Sequence, residues 1–165
     1  MDERIVQVLW EGPFTLDEIE KLNKPSDKGL YQVYTYHPVY GDALVYIGMT
    51  EKGEFASRIL WHEYDLGSDS DKKRTTYYVG RLIYKLRPPQ EQWKDEMKQA
   101  EKLLIHAHAP AYNSSQIQAV SNPGEAADVR VLNWGDCRSL HREVSGRMWT
   151  AKLENSRKPY GSDIK

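Results

Sequence analysis

Two short runs constrain this chain more than any others: GLYQVYTY over residues 29–36 and ALVYIGMT over residues 43–50. Both are rich in aromatic and β-branched residues, the types that fit a pleated, half-buried surface. The polar connection HPVYGD between them contains a glycine and suits a hairpin with a rather long loop. Two antiparallel strands then bring Tyr31 and Tyr46, fifteen residues apart, close together. On these runs alone the two tyrosines are either half-buried core residues or members of a site.

Downstream, FASRILWHEYDLG over residues 55–67 places Phe55, Ile59, His62 and Leu66 on one face of a helix. Arg58 lies at the edge of that stripe, one turn before His62, so the two can act on one spot. An arginine and a histidine turned toward an apolar face either pair internally or line a cleft. A third element, EQWKDEMKQAEKLLIHAHA, begins after Pro88-Pro89 and ends before Pro110. Its stripe is Trp93, Met97, Ala100, Leu104 and Ala107, with the carboxylate of Glu101 at the border. Taken singly, such a border carboxylate is a solvated flank. Ala111-Tyr112-Asn113 follows directly.

The order GLY, YIG, Arg58, His62, Glu101, Asn113 resembles that of the GIY-YIG endonuclease superfamily. The likeness runs from about residue 29 to 113, with Leu30 where the family motif has isoleucine and His62 at a position where members carry His or Tyr. No single fragment is specific; the ordered set is. The resemblance implies an α+β fold: a small antiparallel sheet of about three strands flanked by helices, with N- and C-terminal additions. It also implies a metal-dependent DNA endonuclease, with Tyr31 as general base. Glu101 is then the ligand of one Mg²⁺ or Mn²⁺ ion, since Mg²⁺ is commonly held by one carboxylate, waters and substrate phosphate. Arg58 suits a clamp on the phosphate oxygens, because its planar fork stays charged. His62 accepts or relays a proton or orients Tyr31, Tyr46 positions the water or phosphate, and Asn113 holds the site's geometry. The competing reading is a nucleic-acid-binding module on the same scaffold without turnover, or a structural protein whose resemblance is accidental.

Charge bears on these readings through its distribution. The net charge of −1 is not that of a typical nucleic-acid binder. Residues 1–28, however, carry seven acids against four bases, and residues 72–87 carry six bases and no acid. Lys72, Lys73, Arg74, Arg81 and Lys85 in that second stretch are therefore either phosphate contacts on DNA or a solvated edge. The residues after 136 add seven bases against three acids.

The remaining elements are plainer. IVQVLW predicts a short strand that breaks at Gly12-Pro13, and Thr15 to Glu18 reads as the capping box of a short helix stapled by Phe14 and Ile19. TYYVGRLIY over 76–84 and DVRVLNW over 128–134 predict further strands. Ser121 to Gly124 reads as a turn, residues 67–71 as an exposed linker, and residues 155–165 as a disordered tail. His106 and His108 at a helix C-terminus suit a dipole contact better than a metal. Length suits one domain over residues 1–165, with a core at 29–113 and an extension over 114–154. The single Cys137 rules out an internal disulfide framework and, with no apolar run long enough for a membrane span, fits a cytoplasmic protein. No zinc-finger or helix-turn-helix pattern appears, so target choice falls to loops, a homodimer or a partner.

Overall fold

The computed structural model describes residues 3–63, 74–86, 88–113 and 126–149; of residues 61–63 and 149 it describes the backbone only. Leu66, Lys72, Lys73, the linker over 67–71, the turn over 121–124 and the tail from residue 155 lie outside these ranges, as does the His62 side chain. In chain order the elements are β1 (Arg4–Phe14), α1 (Leu16–Ile19), β2 (Leu30–His37), β3 (Gly41–Met49), α2 (Phe55–Glu63), β4 (Thr76–Leu82), α3 (Gln90–His108), β5 (Val129–Gly135) and β6 (Glu143–Ser145). A short 3-10 turn follows α3 at Ala111–Asn113. No helix among the described residues is long and apolar enough to cross a membrane.

The sheet is larger than the sequence led us to expect, and of a different kind. The strands form one six-stranded mixed sheet in the order β3-β2-β4-β1-β5-β6, which overturns the expected three-stranded antiparallel sheet. An antiparallel unit β3-β2-β4 is present, but it is one half of the whole. Two features account for the error. First, Gly12-Pro13 does not end β1: a register shift between Glu11 and Phe14 absorbs the pair and the strand continues for eleven residues. Second, β1 pairs in parallel with β5, joining Arg4 to Val129 and Trp10 to Gly135. No local pattern announces a pairing between segments some 125 residues apart.

Strand alternation sorts the side chains into two cores. Leu30 and Tyr34 of β2, Ile47 of β3, Tyr78 of β4 and Val6, Val8 and Trp10 of β1 pack with Ala100, Leu103, Leu104 and Ile105 of α3. Tyr31 and Val33 of β2, Val45 of β3, and Tyr77 and Val79 of β4 pack on the other face with Ile19 of α1 and with Phe55 and Ile59 of α2. So α3 covers one face and α1 with α2 the other. At α1 the Glu18 carboxylate accepts the Thr15 backbone N–H at 2.7 Å, the reciprocal arm of the expected capping box, and Phe14 and Ile19 share one cluster. At the end of α3, His108 Nδ1 lies 2.8 Å from the Leu104 carbonyl and its Nε2 accepts the His141 N–H at 2.9 Å. Its ring thus joins the helix end to the loop before β6. Cys137 is buried.

The parallel pairing of β1 and β5 has a polar fastening inside it. The Trp10 indole N–H donates to Asn133 Oδ1 at 2.9 Å, and Asn133 Nδ2 donates to the His141 carbonyl at 2.7 Å. Both residues are buried. Gly80 makes room for the indole, since a Cβ there would stand 2.8 Å from the ring. Asn133→Ala strands the indole N–H without water or partner, which costs more than the bond itself contributes. The expected loss is about 2–3 kcal/mol, read as a lowered denaturant midpoint with an unchanged m-value.

Candidate active site

The site begins at the pairing of β2 with β3. Tyr31 stands opposite Gly48, and Tyr46 opposite Val33, so the two tyrosines are diagonal neighbours on one face. Their ring centroids are 5.9 Å apart. Gly48 is what allows this. A Cβ at that position would lie 2.6 Å from Tyr31 Cζ and Oη and 2.6 Å from Tyr46 Cε1. At the other motif, Gly29 takes φ of 154°, and a Cβ there would stand 2.0 Å from the Gly80 carbonyl oxygen. Gly29 N–H donates to Thr50 Oγ1 at 2.8 Å, and Thr50 N–H to the Gly29 carbonyl at 2.8 Å, which closes the open end of the hairpin.

The helices bring the charges. Tyr46 and Met49 of β3, Glu51 and Lys52 just beyond it, Arg58 of α2 and Glu101 of α3 line one cleft of about 350 Å³. Tyr31 does not line it; its hydroxyl is buried behind and makes no hydrogen bond of ordinary geometry. Tyr46 is near enough to perturb it, as are Arg58 and Glu101. Burial raises the Tyr31 phenol well above 10.0, and the favourable field of Arg58 does not offset that. Tyr46 is raised too, by burial and then by Glu101. Burial lifts the Glu101 carboxyl to about 7 against the pull of Arg58, Lys102 and Lys98. In the free protein both phenols are therefore neutral at pH 7, and Glu101 sits near its midpoint.

Asn113 is buried, and its role is structural at one remove from the cleft. Its Oδ1 accepts the Ile47 N–H at 2.9 Å and its Nδ2 donates to the Ile47 carbonyl at 2.9 Å. β3 is an edge strand, so this side chain occupies the place where a further strand would pair. It grips the backbone between Tyr46 and Gly48.

Other expected residues are dispersed. The backbone of His62 lies in α2, one turn beyond Arg58. Arg74 is exposed, its guanidinium 5.3 Å from the Tyr36 ring centroid. Lys85 is exposed past the other end of β4, so that strand's length, roughly 23 Å, separates the two. Arg81 is a strut: Nη2 donates to the buried Asp27 at 2.8 Å and Nη1 donates to Glu11. Sequence reasoning missed the second carboxylate of the cleft, Glu51, which ion-pairs with Lys94 at 3.8 Å and Lys98 at 3.5 Å. A signal existed: Lys94, Lys98 and Glu101 follow at spacings of four and three on α3 and so share a face.

Comparison with models of known protein families, with curated proteins and with solved structures gave no match. Among the described residues no three or more His, Cys, Asp or Glu side chains cluster as a closed metal cage. The donor set instead fits a hard cation that keeps its waters, because one partly desolvated carboxylate, Glu101, faces a cleft open to a phosphate.

Two outcomes follow from this geometry. Glu101 is raised from the ordinary 4.5 to about 7, so the folded protein holds an extra proton between these values and loses stability as pH rises through them. Glu101→Gln mimics the neutral acid. It should match wild type near pH 4 and exceed it by up to about 3 kcal/mol at pH 8, as read from denaturant midpoints. Gly48→Ala pushes a methyl group against both tyrosine rings and should lower stability by about 1–3 kcal/mol. Adding Tyr31→Phe, which removes one of the three crowded atoms, should restore part of that loss in a double-mutant cycle.

Proposed function

We propose that this chain is a GIY-YIG-type endonuclease that hydrolyses phosphodiester bonds in DNA at the cleft between β3, α2 and α3. One observation carries the reading. Tyr46, Arg58 and Glu101, drawn from three separate elements, line one cleft, and the Tyr31 hydroxyl lies buried behind it, within reach of Tyr46. A buried phenol, a half-buried one and a desolvated carboxylate, all three with perturbed ionisation, gather with an arginine at one cleft. That supports chemistry there, and a phosphate is the substrate this set suits.

In this reading Arg58 holds the non-bridging oxygens of the scissile phosphate, a task suited to a permanently charged fork in a partly desolvated wall. Glu101 would hold a Mg²⁺ or Mn²⁺ ion, which would supply neutralisation of phosphate charge and acidification of water. Since Glu101 has a value of about 7, cation affinity rises with pH as its proton leaves. Tyr46, half-buried in the wall, orients the attacking water by its hydroxyl. Tyr31 takes the water's proton. Its phenol starts neutral, so it accepts only as the phenolate, after its own proton has left to solvent, an ionisation that Arg58 favours and burial opposes. Asn113 positions Tyr46 through the Ile47 backbone without touching the substrate.

The test is single-turnover nicking of supercoiled plasmid with Mg²⁺ titrated. Wild type should nick, and Glu101→Gln should fail to nick at any Mg²⁺ concentration while still binding DNA. Tyr31→Phe should slow nicking by about a hundredfold or more, the usual worth of a general base. His62→Ala run alongside assigns the proton: a larger loss than for Tyr31→Phe gives the role to His62. Wild-type protein that binds DNA and never cuts it would make the chain a binding module.

A further inference from the structure

A second, larger cleft of about 580 Å³ adjoins the first, and Glu51 lines both. Its walls include Trp93 of α3, Tyr84 and Arg81 from β4 and just beyond it, and Lys28 and Ser26 from the loop before β2. Three of these residues carry the argument. Trp93 is half-buried, yet among the described residues its indole N–H has no hydrogen bond and its ring no aromatic or cationic partner. Trp10 and Trp134, by contrast, both donate their indole N–H. The Tyr84 hydroxyl donates to Glu96 at 2.6 Å, which fixes the phenol ring as a rigid wall. Lys28 is half-buried and, among the described residues, has no carboxylate partner, whereas Arg81 in the same wall has two. An unpartnered indole face beside an unpaired ammonium matches a base attached to a phosphate.

Resting on the nuclease reading of the neighbouring cleft, we infer that this second cleft binds a nucleotide flanking the scissile phosphate, its base unstacked from its neighbours and laid against Trp93. The spacing sets which one. Trp93 and Glu101 are eight residues apart on α3, about 12 Å along the axis. At the roughly 3.4 Å per nucleotide of a stacked strand that is three to four steps, and fewer once the strand is extended. The bound nucleotide therefore lies within about four of the cut. Its shape requirement favours DNA that is single-stranded or easily opened there.

The probe is a ten-nucleotide single strand of random sequence, titrated into wild type, Trp93→Ala, Trp93→Phe and Lys28→Ala without divalent cation and read by anisotropy. Circular dichroism checks that each variant is folded. Trp93→Ala should weaken binding about tenfold or more, the worth of one stacked base, and Trp93→Phe should recover most of it. Lys28→Ala should reduce the salt slope by about 0.7, the single-strand value for one phosphate contact. Equal affinity of wild type and Trp93→Ala overturns the subsite, whatever the plasmid assay shows. Trp93-dependent binding by a protein that never nicks plasmid retains the subsite and overturns cleavage instead.

Discussion

The site depends on a missing side chain. With no Cβ at Gly48, the Tyr31 ring lies across β3 and Tyr46 beside it, at a separation no other residue would permit. The strand that carries this gap is at the sheet edge, where backbone groups unpaired by a neighbour invite slippage. Asn113 removes that freedom by bonding both the N–H and the carbonyl of Ile47. The gap is thus held from two sides, by Tyr31 across the ladder and by Asn113 from the open edge. Arg58 and Glu101 then reach the same cleft from helices whose apolar stripes pack on opposite faces of the sheet.

The electrostatic consequence is a fold at odds with its own charges. Burial disfavours ionisation of Tyr31, Tyr46 and Glu101; Arg58, joined by Lys102 and Lys98 at Glu101, offsets only part of that. Lys94 and Lys98 also pair with Glu51. At Glu101 burial outweighs Arg58, Lys102 and Lys98 together, so the folded carboxyl is raised to about 7 and its ionisation costs stability as pH rises.

What was legible in the sequence was local. The hairpin, the helices at Phe55 and after Pro89, and the strand at Val129 all announce themselves by period and by their flanking residues. The meeting of Tyr46, Arg58 and Glu101 was implied only by the resemblance to an ordered motif set, since by period alone Glu101 read as a solvated flank. The non-local features were not legible. β1 looked finished at Gly12-Pro13 because its continuation depends on partners in β4, and its parallel mate β5 lies at the far end of the chain. Arg81 looked like one basic residue among several, since its partner Asp27 is distant in sequence and buried only by the fold. Tyr31 was read as a half-buried core residue or a general base, and its burial behind Tyr46 is a matter of packing that no motif records.

Helix α3 ties these parts together. Lys94, Lys98 and Glu101 share one face of it and Trp93 flanks that face within about two turns, so a single rigid element presents an indole, two ammonium groups and a carboxylate in fixed sequence. Glu51, beyond the end of the YIG strand, is bound by the two lysines and lines both clefts. The two carboxylates of the first cleft are thus both held by one helix, Glu101 through its backbone and Glu51 through Lys94 and Lys98.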